Sequence, residues 1–72
     1  MSSTLFNRIR VFRAERRISQ AELAEAIGVS RKTISTIEVG RFVPSTMIAL
    51  RIAAYFGVAV EEIFSLRDSQ RP

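Results

Sequence analysis

The chain has 72 residues, 47% of them hydrophobic and 25% charged, so it has room for one domain over residues 1–72 and lacks the run of about 20 apolar residues that would span a bilayer. Because it has neither cysteine nor histidine, nor an apolar signal segment at the N-terminus, we expect no disulfide, no metal, no cofactor and a cytoplasmic protein. The net charge of +4 lies entirely within residues 1–45, so attraction to a polyanion should come from that part of the chain.

A first helix is predicted near the N-terminus. Leu5, Ile9 and Phe12 recur at helical spacing, and the Thr4 hydroxyl can accept a hydrogen bond from a free backbone N–H at the start of a helix. We therefore expect this helix to run from Leu5 to about Arg16.

The next two helices carry clear start and stop signals. Ser19 and Glu22 form a capping box, which predicts a second helix that begins directly after Ser19 and ends at Gly28. Ser30 is another good N-cap, so a third helix should run from Ser30 to the residue before Gly40.

The second half of the chain predicts two more helices. Ser45 can cap a fourth helix that runs to about Phe56, and a short last helix is expected around Val60 to Phe64. The predicted fold class is therefore all-α, with five compact helices in a single domain.

The termini allow two interpretations. In the first, residues 5–66 are ordered and residues 67–72 form a polar, mobile tail. In the second, Phe64 to Arg67 form a short strand that pairs with residues of the N-terminus. The sequence leaves both open.

A tight helical crossing is predicted between the second and third helices, because only about three residues join them. Such a crossing needs a small residue where the backbones meet, and Ala24 stands at that point, four residues before Gly28. Apolar residues to fill the wedge between the helices surround it: Leu23, Ile27, Val29, Ile34 and Ile37. This is the helix-turn-helix pattern, which predicts binding to double-stranded DNA.

The sequence also resembles the Cro/C1-type (XRE-like) helix-turn-helix regulators, most of all their short stand-alone repressors. The resemblance covers about residues 7–64 and is carried by residues 18–24, 28–35, 37–38 and 44–45. It implies a lambda-repressor-like domain of five helices and a transcriptional repressor that binds an inverted repeat as a homodimer.

The outward face of the third helix carries the candidates for reading bases. Successive residues of a helix are rotated by about 100°. Since Ile34 and Ile37 point to the core, the side chains on the opposite side of the helix should face the groove. We assign base reading to Arg31, Lys32, Ser35 and Thr36, because arginine and lysine can donate to guanine and threonine offers a hydroxyl and a methyl. Arg31 and Lys32 contact only phosphates in the alternative interpretation.

Phosphate contacts are predicted at both helix starts and after the third helix. The resemblance implies that Gln20 binds the DNA backbone; Ser30, Thr33 and Arg41 are placed to do the same, although Ser30 must also act as an N-cap. Four further arginines either touch DNA or form a solvated face: Arg8, Arg10, Arg16 and Arg17.

Glu38 lies close to the core side of the third helix, where an unpaired carboxylate would be costly. The resemblance supplies a partner, since in the family an arginine of the first helix pairs with this glutamate. The matching residue is Arg13, and we interpret the pair as structural.

Self-association is predicted from an excess of apolar residues late in the chain. The candidates for a dimer interface are Leu50, Tyr55, Val60, Phe64 and Leu66.

The alternative function is that of an antitoxin or another protein-interaction module, with autoregulatory DNA binding as a secondary activity. An enzyme is not expected, because the chain lacks a catalytic histidine or cysteine and a glycine-rich phosphate loop.

Overall fold

The computed structural model describes residues 3–68, which form five helices and a two-stranded antiparallel sheet. None of the helices in this part of the chain is long and apolar enough to cross a bilayer. The predicted five-helix fold is confirmed, together with the alternative that pairs the two ends of the chain as strands. In chain order the elements are β1 (Ser3–Asn7), α1 (Ile9–Arg16), α2 (Gln20–Ile27), α3 (Arg31–Glu38), α4 (Thr46–Phe56), α5 (Val60–Ile63) and β2 (Phe64–Asp68).

Local capping chemistry explains the bounds of α2. The Ser19 Oγ accepts a hydrogen bond from the Glu22 N–H at 3.0 Å, and the Glu22 carboxylate accepts one from the Ser19 N–H at 2.8 Å. At the other end Gly28 takes a left-handed conformation with φ of 80°, and its N–H donates to the Ala24 carbonyl. The predicted capping box and glycine stop are both confirmed.

The hydrophobic core draws on all five helices and on β2. Its members are almost free of solvent contact, and burying one leucine, isoleucine or phenylalanine side chain stabilises the fold by about 1.5–3 kcal/mol before opposing entropy is counted. They are Ile9 of α1, Leu23, Ala24 and Ile27 of α2, Ile34 and Ile37 of α3, Ile52, Ala53 and Phe56 of α4, Ile63 of α5 and Phe64 of β2.

The N-terminal segment is a strand, so the predicted helix start at Leu5 with Thr4 as its cap is wrong. In the antiparallel pair Leu5 lies opposite Leu66, and Asn7 lies opposite Phe64. Leu5 and Phe64 therefore share the face that packs on the core, and α1 begins only at Ile9.

The C-terminal bounds are corrected as well. Phe64 is the first residue of β2 and not the last residue of a helix, so α5 ends at Ile63. Strand pairing extends to Ser3 and Asp68, beyond both limits of the predicted ordered region. Of the predicted tail, residues 67–68 belong to β2 and residues 69–72 lie outside the described part of the chain.

Asn7 joins β1 to two helices. Its side-chain amide donates to the Ile37 carbonyl of α3 at 2.9 Å, and its Oδ1 accepts from the Ile9 N–H at 3.2 Å. The second bond satisfies one of the free backbone N–H groups at the start of α1, which is the capping role that we had expected of Thr4.

The change Asn7→Ala should lower the free energy of unfolding by about 2 kcal/mol, because it removes both hydrogen bonds in a half-buried position. Urea unfolding followed by circular dichroism measures this. Thr4→Ala is the matched control, since Thr4 is exposed on the same strand and should cost much less. Equal losses in the two variants would contradict the linking role of Asn7.

Candidate nucleic-acid interface

The turn between α2 and α3 holds the two helices in a fixed crossing. The Val29 N–H donates to the Ala24 carbonyl at 3.0 Å, which folds the chain back over the end of α2. Ala24 is 2% exposed, as expected of the small residue where two helix backbones meet. Ser30 then caps α3, its Oγ accepting from the Thr33 N–H at 3.1 Å.

The two faces of α3 differ sharply in exposure. Ile34 and Ile37 are 0% and 1% exposed, whereas Arg31 and Lys32 are open to solvent. Thr33, Ser35 and Thr36 are half-buried. The side chains predicted to face DNA thus lie on the outer side of the helix, as the 100° spacing requires.

The hydroxyl groups on this surface are committed to the helix itself. Thr36 Oγ1 lies 2.9 Å from the Lys32 carbonyl and 3.0 Å from the Thr33 carbonyl, and it donates to them. Thr33 Oγ1 shares a hydrogen bond of 2.9 Å with Ser30 Oγ. The hydroxyl chemistry that we had assigned to base and phosphate contacts is therefore partly used within α3.

The segment after α3 folds back against the same surface. The N–H groups of Arg41 and Phe42 both donate to the Thr36 carbonyl, at 2.9 and 3.2 Å. A shallow cavity of about 310 Å³ lies between α3 and this segment, and we call it the α3 cavity. It is lined by Ser30, Lys32, Thr33, Thr36, Arg41 and Phe42.

Phe42 is the residue of this surface that sequence reasoning missed. The residue is 47% exposed, although a large aromatic side chain is costly to leave in water. The signal available in the sequence was an aromatic residue in a short loop, between Gly40 and Pro44, where a polar residue is usual.

A buried carboxylate ties α3 to the two preceding helices. Arg13 binds Glu38 with both ends of its guanidinium group, Nε to Oε2 at 2.6 Å and Nη2 to Oε1 at 3.1 Å. The Glu38 side chain is 1% exposed, so the predicted pair with Arg13 is present and almost dry. The exposed Arg10 adds a longer contact of 4.0 Å.

Gln20 is half-buried and contributes to this cluster. Its amide nitrogen donates to Glu38 Oε1 at 3.0 Å, so this donor is not directed at solvent. The phosphate contact of Gln20 stays a prediction. In the structure its amide group links the start of α2 to the end of α3.

The cluster sets the ionisation of Glu38. Burial by itself raises the pKa of Glu38, because the charged carboxylate loses water. Hydrogen bonds from Arg13 and Gln20, with the positive charges of Arg13 and Arg10, outweigh burial, and the pKa of Glu38 lies below its usual value. Glu38 is therefore charged at neutral pH.

Two of the four undecided arginines lie over aromatic rings of the core side. The Arg16 Nη2 donates to the Phe56 carbonyl at 2.6 Å and lies over the Phe56 ring, which joins α1 to the end of α4. Arg8 lies over the Phe12 ring. Arg10, by contrast, keeps 74% of its side chain exposed.

The five candidates for a dimer interface do not form one surface. Three of them, Leu50, Val60 and Phe64, line a groove of about 200 Å³ between α4 and the strands. Leu66 lies beside this groove, opposite Leu5 on the neighbouring strand, and is 73% exposed. Phe64 is only 8% exposed and belongs chiefly to the core of its own chain.

Tyr55 lies elsewhere. It lines an open cleft at the end of α2, together with Ile27 and Arg51, and its ring meets Phe56 edge-on. The helical spacing of α4 places it on a different side from Leu50. Tyr55 therefore does not share the groove that Leu50, Val60 and Phe64 line.

The change Glu38→Gln should lower the free energy of unfolding by roughly 3 kcal/mol at pH 7, because it leaves Arg13 without its charged partner in a nearly dry site. A carboxylate with a lowered pKa stabilises the fold above the pKa of the unfolded chain, and this stabilisation is lost as the pH falls through the folded pKa. The difference between wild type and variant, measured by urea unfolding, should therefore shrink below about pH 4.

Arg10→Gln is the matched control for this measurement. Arg10 touches the same carboxylate at long range and is mostly exposed, so its loss should cost less than about 1 kcal/mol. A Glu38→Gln protein as stable as wild type at pH 7, or a difference that does not change with pH, would contradict the role of the cluster.

Comparison with known proteins gives a consistent result. A helix-turn-helix family model matches residues 9–63. An uncharacterized HTH-type transcriptional regulator of Methanocaldococcus jannaschii is 42% identical over 64 residues, which cover 89% of this chain and 97% of that protein. The cryptic phage CTXphi transcriptional repressor RstR of Vibrio cholerae is 34% identical over 59 residues, which cover 82% of this chain and 53% of the repressor.

Solved structures agree with the sequence relatives. A crystal structure of a protein from Bacteroides fragilis superposes with a TM-score of 0.77 at 29% identity, and the match covers 86% of this chain and 100% of that one. The family resemblance predicted from the sequence is thereby confirmed. The chain belongs to the Cro/C1-type helix-turn-helix family and is a transcriptional regulator, not an enzyme.

Proposed function

We propose that the protein is a sequence-specific repressor that binds duplex DNA as a homodimer, with α3 in the major groove of each half of an inverted repeat. The observation that carries this proposal is the charge of the surface formed by Arg31, Lys32, Ser35, Thr36 and Arg41, which we call the α3 surface. Between residues 29 and 45 the only acidic residue is Glu38, whose side chain is 1% exposed, whereas Arg31, Lys32 and Arg41 are all open to solvent. A helix with an exposed cationic face and a shielded carboxylate suits the phosphate-lined major groove.

Repression is supported by the relatives. RstR of Vibrio cholerae is a transcriptional repressor, and an immunity repressor protein of Bacillus phage phi105 is 35% identical over 60 residues. A protein that acts on operator DNA in a prokaryotic cell works in the cytoplasm, at the nucleoid.

Different DNA contacts are proposed for different residues of the α3 surface. Arg31, Lys32, Ser35 and Thr36 lie on the outward face of the helix, where base edges are within reach. Arg41 follows the helix and is held beside it by the bond from its N–H to the Thr36 carbonyl, which suits contact with a flanking phosphate.

The change Lys32→Ala should relax base preference at one position of each half-site, because a lysine that donates to a guanine contributes about 1–3 kcal/mol of discrimination. Arg41→Ala is the matched variant and should weaken binding to all sequences alike. The slope of log affinity against log salt concentration should fall by about one. Selection of sites from a randomised duplex pool, followed by titrations at several salt concentrations, measures both effects.

The outcome of the selection decides the proposal. An enriched inverted repeat with half-sites about one helical turn apart supports a dimeric regulator. If no sequence is enriched, the protein-interaction module becomes the better hypothesis. Equal, sequence-blind losses from Lys32→Ala and Arg41→Ala would contradict base reading by Lys32.

The groove beside the strands is the proposed dimer interface. It has apolar walls from Leu5, Leu50 and Val60, and its rim carries the exposed Leu66. Met47, one helical turn before Leu50, is 61% exposed on the same side of α4. A continuous apolar surface of this kind is unusual on a monomer and suits contact with a second copy across a two-fold axis.

The change Leu50→Lys should convert the dimer into a monomer, because it places a charge in the centre of this surface. Sedimentation at micromolar concentration measures the change, and affinity for the inverted repeat should fall about a hundredfold as the two half-sites bind independently. Val11→Lys is the control, since Val11 is similarly exposed, at 42%, but lies on α1 outside the groove. A wild-type protein that sediments as a monomer would contradict the dimer.

A further inference from the structure

The α3 cavity has an apolar wall at the centre of a cationic surface. Phe42 forms this wall and keeps 47% of its surface exposed. The cations of Lys32 and Arg41 lie at the same cavity, and no carboxylate lines it. A patch of this composition attracts a polyanion and then offers it one apolar contact.

The two threonines of the cavity add to its apolar character. Thr36 Oγ1 donates back to the carbonyls of its own helix, and Thr33 Oγ1 is bound to Ser30 Oγ. With the hydroxyl of each threonine held in this way, its γ-methyl group remains to contact a ligand. The cavity therefore combines an aromatic ring with two methyl groups.

The major groove of duplex DNA displays one apolar group, the 5-methyl of thymine. All other base edges in that groove present hydrogen-bond donors and acceptors, which would gain nothing from a phenyl ring and two methyl groups. The apolar lining of the α3 cavity therefore suits the thymine methyl group better than any other group in the major groove.

We infer that the α3 cavity binds the 5-methyl group of a thymine in each half-site, with Phe42 and the methyl groups of Thr33 and Thr36 as its walls. This inference rests on the proposed function and deepens it, because it makes Phe42 a specificity-determining residue outside α3. The cationic side chains at the cavity bring the duplex within reach, and the apolar wall discriminates thymine from the other bases.

The test replaces thymine with deoxyuridine, one position at a time, in the inverted repeat obtained by selection. Deoxyuridine pairs as thymine does and lacks only the methyl group. At one position of each half-site the wild-type protein should bind about fourfold more weakly, the value of burying one methyl-sized group. Phe42→Ala should bind the thymine and deoxyuridine duplexes equally at that position.

Two substitutions at Thr36 separate its methyl group from its hydroxyl. Thr36→Val keeps the methyl and should keep the fourfold ratio, whereas Thr36→Ser keeps the hydroxyl and should lose most of it. Val43→Ala is the control for Phe42→Ala, because Val43 is the next residue, is 67% exposed and does not line the cavity. Thermal unfolding establishes that each variant is folded before its affinity is compared.

Either of two results would overturn the inference. The wild-type protein could bind every deoxyuridine duplex as well as the thymine duplex. Phe42→Ala could retain the fourfold ratio, and if it also weakened binding to all duplexes equally, the ring would be assigned to a deoxyribose of the backbone. Failure of the proposed function would be seen earlier and separately, as the absence of any enriched site in the selection.

Discussion

The buried carboxylate of Glu38 is the constraint on which the arrangement of the first three helices depends. A nearly dry carboxylate is tolerable only if it is ionically paired and its oxygens are hydrogen-bonded, and Arg13 and Gln20 together supply these partners. Their positions in three different helices mean that one charge holds α1, the start of α2 and the end of α3 in register. The same contacts withdraw the only acidic group of α3 from the surface that would meet DNA. Structural stability and electrostatic complementarity are thus provided by one residue.

The α3 surface shows how a short helix divides its chemistry. Its inward side is aliphatic and anchors it in the core through Ile34 and Ile37. Its outward side carries the charged Arg31 and Lys32, together with threonine hydroxyls that form hydrogen bonds within the helix and its cap. The following segment is drawn against it by two N–H groups that share the Thr36 carbonyl, so a loop residue, Phe42, joins a surface that helical periodicity alone would confine to α3. In the proposed thymine contact, the loop therefore contributes to specificity without a change in the helix.

The strand pair and α4 form the walls of the apolar groove. A chain of this length buries a smaller fraction of its surface than a larger domain, and each apolar contact matters more. Phe64 serves the core of its own chain and also forms part of the groove beside α4. In the proposed dimer, a second copy would pack on that groove and extend the core across the two-fold axis. The contacts that stabilise each protomer would then also set the distance between the two copies of α3.

Local chemistry made the helices of the middle of the chain predictable. Capping serines, the left-handed Gly28 and the small Ala24 act within a few residues of one another, so their effect can be derived from spacing alone. The outward face of α3 follows from the same periodicity. The pair of Arg13 and Glu38 came from the family resemblance, because spacing does not tell which distant arginine reaches a buried carboxylate.

Other features were decided by the tertiary structure. Leu5 fits both a helical repeat and an alternating strand, and only its partner at the far end of the chain selects the strand. Gln20 turns to Glu38 because the fold brings that carboxylate to the start of α2. Phe42 meets Thr36 because the chain reverses after Gly40. In each case the deciding contact joins residues of different segments, so the local pattern does not predict it. A helix, by contrast, is specified by residues that are neighbours in the sequence.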